Sequence, residues 1–129
     1  GVLHVCPVGS PNTFYSDFGV PRPGGRTHQG NDIFAAYGTP IYAPFDGYAY
    51  DSSNDLGGNA VKVDGAGGYV YNAHLSSFGT LGNVSAGTII GHVGNSGNAR
   101  YTSPHDHFEW HPGGGAAVDP YPYLVEACR

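Results

Sequence analysis

Ala60-Val61-Lys62-Val63-Asp64, Gly65-Ala66-Gly67-Gly68, Tyr69-Val70-Tyr71-Asn72-Ala73-His74 is the stretch that decides the fold. Apolar and polar side chains alternate on both sides of a Gly-rich turn. Period-two alternation puts neighbouring side chains on opposite faces of a strand, so the stretch predicts an antiparallel hairpin with one face against a core. Outward from it, Gly87–Gly94 and His105–Trp110 read as two more strands. Thr39–Asp51 reads as two short strands with a turn at Asp46-Gly47. Residues 9–27 carry Pro21, Pro23, Gly24 and Gly25 and read as irregular. No window of twelve residues keeps a 3.6-residue period, and one short helical turn fits Tyr121–Glu126 after Pro120. The fold class is therefore mostly β: an antiparallel sheet core with Gly-rich turns, loops forming a groove, and very little helix.

The chain has 129 residues, 22 of them Gly and 10 Pro, without a linker or low-complexity tract, and reads as one domain over residues 1–129. Its formal charge is −5 and it holds only five Lys and Arg. That balance argues against a nucleic-acid groove, which needs many phosphate-neutralising cations. No apolar run is long enough to span a bilayer. Cys6 and Cys128, one near each end, are expected to pair and bring the termini together, which implies an oxidising compartment. Residues 1–10 lack the pattern of a signal peptide, and the start at Gly1 reads as a processed or excised piece of a longer precursor. Nothing in the sequence calls for more than a monomer.

Two short spacings carry the chemistry: His28 and Asp32 in T-H-Q-G-N-D-I, and His105 and His107 in S-P-H-D-H-F-E-W. Imidazole and carboxylate are the usual ligands of zinc, and three protein ligands leave a position for water. On a strand, His105 and His107 share a face while Asp106 points the other way. Positions 28, 30 and 32 also share a side in extended chain, with Gly30 leaving room between them. Spacing alone permits either His105 or His107 to be the ligand. Glu109, on the same alternation, is placed to orient a ligand through a hydrogen bond, and a solvated or packing role fits it equally. His92 reads as a half-exposed strand position, His111 as surface, Trp110 as packing, and Asp17, Asp46, Asp51, Asp64 and Asp119 as turn residues.

Several motifs, in order, resemble the lysostaphin-type (LytM-type) zinc endopeptidases that cut bacterial peptidoglycan. H-Q-G-N-D-I-F-A-A-Y-G-T-P-I-Y-A-P-F-D-G (28–47) is similar to the family's H-x-G-x-D segment with its G-T-P and D-G turns. G-G-N-A-V-K-V (57–63), Y-N-A-H-L-S-S-F (71–78), S-A-G-T-I-I-G-H-V-G-N-S-G (85–97) and S-P-H-D-H-F-E-W (103–110) follow the later motifs. The resemblance implies His28, Asp32 and His107 as ligands of Zn2+, and His74 and His105 as catalytic histidines beside the reacting water. It implies a secreted or cell-envelope enzyme that hydrolyses stem-peptide or cross-bridge bonds. The departures are Asp106 in place of Leu, which is expected to make the strand's outward face more polar, Asn72 in place of an aromatic, and Tyr101-Thr102-Ser103 ahead of Pro104. The alternatives are an inactive wall-binding or hydrolase-activating domain of the same fold, which usually lacks a ligand, and a sugar-uptake phosphocarrier with paired histidines.

Overall fold

The computed structural model describes residues 1–129. Eleven strands and one helix follow in chain order: β1 Thr13–Phe14, β2 Pro21–Arg22, β3 Arg26–Thr27, β4 Asn31–Phe34, β5 Pro40–Tyr42, β6 Gly47–Asp51, β7 Asn59–Gly65, β8 Gly68–Phe78, β9 Gly82–Val84, β10 Ile89–Val93, β11 His105–Pro112 and α1 Tyr121–Cys128. The main sheet runs β1-β4-β11-β8-β7-β6-β9, with β10 pairing β5 and β8. Every pairing in it is antiparallel. No helix is long and apolar enough to cross a membrane.

The hairpin is the centre of this sheet. Val63 pairs Val70 and Lys62 pairs Tyr71, with Gly65 opposite Gly68 at the turn. β8 continues past His74 to Phe78, where alternation no longer signals a strand. A register shift between Asn59 and Val61, and a left-handed backbone at His74 (φ 68°), break the period there.

Alternation divides the sheet into two faces. Ile33, Val61, Val63, Val70, Phe108 and Trp110 turn inward and, with Ile41, Ile90, Val93 and Leu124, form the buried core. Asp32, Lys62, Tyr71, Ala73, His105, His107 and Glu109 turn to the other face and line a cleft.

Four local readings differ from the structure. β5 and β6 both form, but Asp46-Gly47 does not join them as a hairpin: β5 pairs β10, and β6 lies between β7 and β9. Residues 9–27 are not wholly irregular, because Pro21–Arg22 and Arg26–Thr27 form a two-stranded ribbon about a 3₁₀ turn at Pro23–Gly25. Asp106 makes no outer face more polar. It is fully buried on the core side of β11, and Asn72 is buried with it. The sheet is covered on that side, so burial pushes the Asp106 carboxyl well above the ordinary carboxylate range. Finally, Asp17 is not just a turn residue; its side chain and carbonyl hold a histidine described below.

Cys6 and Cys128 are disulfide-bonded with Cα atoms 4.9 Å apart across 122 residues of sequence. The bond ties the N-terminal segment to α1, whose Leu124 is fully buried. A loop that long removes much of the entropy of the unfolded chain, about 4–5 kcal/mol in the chain-entropy model. The double variant Cys6→Ser, Cys128→Ser is expected to lose several kcal/mol of stability while keeping the β spectrum, measured by urea unfolding under oxidising conditions.

Candidate metal centre

β4 and β11 lie side by side with His107 opposite Asp32. Their side chains emerge from one face, so an imidazole and a carboxylate meet across two strands. His28 arrives from the segment just before β4. Its backbone is pinned by Gly19 N–H donating to the His28 carbonyl and His28 N–H donating to the Val20 carbonyl. Gly30 is required here for a reason other than room between 28 and 32: a Cβ on it would stand 2.1 Å from the Phe108 carbonyl oxygen. Only glycine lets the chain press against β11 before β4 begins.

Three donor atoms converge. His28 Nε2 lies 3.0 Å from Asp32 Oδ1 and 3.0 Å from His107 Nδ1, and His107 Nδ1 lies 3.4 Å from Asp32 Oδ1. One ligand atom from each residue lies within 4.8 Å of the others, a set able to hold a metal ion.

The far nitrogens are committed elsewhere. His28 Nδ1–H donates to the Asp17 carbonyl at 3.1 Å, with the Asp17 carboxylate at 3.5 Å. Asp17 is fixed in turn by the Asn31 amide at 2.8 Å. His107 Nε2–H donates to Glu109 Oε2 at 2.6 Å, and the other oxygen of Glu109 accepts from His111 Nε2 at 2.6 Å. Both neutral rings therefore turn a lone pair inward, toward each other and toward a carboxylate oxygen. That arrangement repels itself unless a cation or a proton occupies it.

Protonation behaviour follows the same logic. Burial disfavours the His28 cation, yet its bonds to Asp17 and Asp32 and the Asp32 charge outweigh this and raise it to about 9. Burial likewise opposes the His107 cation, and Asp32 and Glu109 raise it to about 9. Burial works against ionised Asp32, but His107 and His28 hold its carboxyl far below the usual range. In Glu109, burial is again outweighed by His107 and His111, and its carboxyl is lowered.

The other two histidines stand beside this trio. His105 Nδ1–H donates to the Ser103 carbonyl at 2.8 Å, and its Nε2 faces Asp32 Oδ1 at 3.8 Å. His74 Nδ1–H donates to the Ser96 carbonyl at 2.8 Å, and its ring centre lies 5.0 Å from that of His105. Burial, and then the charges of His105 and His107 against the help of Ser96, lower His74 to about 4, so it is neutral near pH 7. Its left-handed backbone costs about 1–3 kcal/mol, strain of the kind that concentrates at functional sites.

All five residues singled out by spacing and resemblance thus line one cleft of about 980 Å³. His92 is remote and meets Ser77. His111 is not free surface: it is braced between Glu109 and the Gly115 carbonyl and stacks on Tyr69. Sequence reasoning missed Asp17 and also Arg22, whose guanidinium lies 3.7 Å from Asp32 Oδ2. Neither has a signal at short range, because each reaches the site only through folding of the segment 15–27.

Comparison with known proteins gives a consistent relationship. The model of Peptidase family M23 matches residues 26–120. An L-Ala–D-Glu endopeptidase of Bacillus subtilis is 34% identical over 134 residues, covering 92% of this chain and 41% of that protein. The DD-carboxypeptidase/endopeptidase Mpg of Neisseria meningitidis is 44% identical over 87 residues, covering 65% of this chain and 20% of that protein. The chain thus spans less than half the length of these curated relatives. The catalytic domain of the antimicrobial peptidase lysostaphin from Staphylococcus simulans superposes with a TM-score of 0.75 at 30% identity, over 88% of this chain and 91% of that one.

Two outcomes are expected from this geometry. Glu109→Gln is expected to weaken binding of a metal ion by the His28, Asp32 and His107 group by about 10–100-fold, read by competition with a chromophoric chelator. In the metal-free protein, His28 and His107 bind protons more tightly folded than unfolded. Their contribution is complete below about pH 6.5 and is lost as pH rises through about 9. Thermal melts from pH 6 to 10 should show that loss, and saturating zinc should abolish it.

Proposed function

The chain belongs to Peptidase family M23, and from that premise we propose that it is a zinc-dependent endopeptidase hydrolysing peptide bonds in bacterial cell-wall peptidoglycan. The observation that carries the reading is the convergence of three lone-pair donors from His28, Asp32 and His107, each ring locked from behind. The donor set suits zinc: two neutral imidazoles, one carboxylate, and no fourth side chain among the ligating group. Zinc held there supplies Lewis acidity that polarises the scissile carbonyl and brings the ionisation of water toward neutral pH.

The remaining chemistry belongs to the protein. His105 carries its proton on Nδ1, toward Ser103, so Nε2 is the acceptor on the cleft side. It takes the proton from the attacking water and returns it to the leaving amine nitrogen. A C–O bond forms, the C–N bond breaks, and the products are a carboxylate and an amine. His74, neutral and fixed the same way by Ser96, accepts a hydrogen bond that orients the water. Arg22 holds the second oxygen of Asp32 and keeps that carboxylate turned to the ion. An extracytoplasmic location agrees with the disulfide and with a relative named peptidoglycan DD-endopeptidase.

Chelation is expected to abolish release of amines from purified walls, and zinc to restore it. His28→Ala, Asp32→Ala and His107→Ala should each lose the metal. His105→Ala should keep one zinc per chain and lose about 10²–10⁴-fold in turnover. Metal analysis paired with amine release checks this. A metal-free or fully active His105→Ala protein contradicts the assignment.

A further inference from the structure

The chain carries five basic side chains against ten acidic ones. Three of the five, Arg22, Arg26 and Lys62, line the cleft. The only carboxylates lining it are Asp32 and Glu109, and both are occupied by histidines. Arg22 already faces Asp32, and the Arg26 Nε–H donates to the Pro23 carbonyl. Lys62 makes no ion pair. Its ammonium lies over Tyr69, 4.7 Å from the ring centre, and 6.0 Å from that of Tyr71. The two rings take the place of part of its water without supplying a counter-charge.

The sheet sets its distance from the chemistry. Lys62 pairs Tyr71, and Tyr71 pairs Glu109, in the row next to that of His107. Two inter-strand steps put the Lys62 backbone about 10 Å from Glu109, and His107 lies two residues further along β11, so Lys62 stands about 12 Å from His107, the length of about three to four residues of extended peptide. We propose that Lys62 is a specificity residue that engages a carboxylate of the substrate peptide about three to four residues from the scissile bond. The cleft then selects acidic peptide over neutral peptide such as a glycine bridge. The inference rests on the endopeptidase reading above.

The test uses one preparation of purified peptidoglycan in two forms. In one the peptide carboxylates are free, and in the other carbodiimide and excess ammonium have converted them to amides. Release of new amino groups by the zinc-loaded protein is compared at low and high salt. The free-carboxylate wall should be cut about three- to fivefold faster at low salt, with the margin shrinking as salt rises, as for a partly solvated ion pair. Lys62→Gln should bring the ratio below twofold, and Lys62→Arg should retain it. Equal rates on the two walls, or a ratio that survives Lys62→Gln, overturn the proposal alone. No release from either wall overturns the endopeptidase reading and this proposal with it.

Discussion

The pairing register of β4 with β11 is the constraint on which the rest depends. It sets His107 opposite Asp32 and sends both to the cleft face. A slip of one residue would exchange the faces, turning the imidazoles into the core and Asp106 toward the cleft. The core face secures the register, because Ile33 and Phe108 are fully buried on it, opposite the buried Asp106 and Asn31. Gly30 lets the preceding chain pass against the Phe108 carbonyl, so His28 reaches the same point. The convergence of His28, Asp32 and His107 is thus a consequence of burial on the opposite side of the sheet.

The site is built in successive layers of hydrogen bonds. His28 and His107 each have one nitrogen aimed inward and one tied behind, by Asp17 and by Glu109. Glu109 is held by His111, and His111 by Gly115 and the face of Tyr69. Such outer partners fix tautomer and ring orientation, which a cation-binding site requires before it can be selective. His74 and His105 follow the same design, each with Nδ1–H bonded to a backbone carbonyl, of Ser96 and of Ser103.

Much of this was legible in the sequence, and the exceptions have physical causes. The 60–74 hairpin was readable because alternation and a Gly-rich turn are both local. The shared face of His105, His107 and Glu109 followed from a period of two. Asp106 misled because alternation tells which residues oppose His107, not whether that side meets water or a core. The Asp46-Gly47 turn is local and does not tell which strands pair: β6 lies between β7 and β9, not beside its neighbour in sequence. His111 read as surface because Pro112-Gly113 follows, yet β11 continues through it in register with Tyr69. Asp17 and Arg22 carry no periodic or motif signal, since a loop and a two-residue strand deliver them.

Diffraction from crystals of the zinc-loaded protein, recorded on both sides of the zinc absorption edge, tests the central claim most directly. The account predicts one anomalous peak per chain, about 2.0–2.2 Å from His28 Nε2, Asp32 Oδ1 and His107 Nδ1, with solvent completing the coordination. A peak elsewhere, a fourth protein ligand closing the site, or no peak at saturating zinc would contradict it.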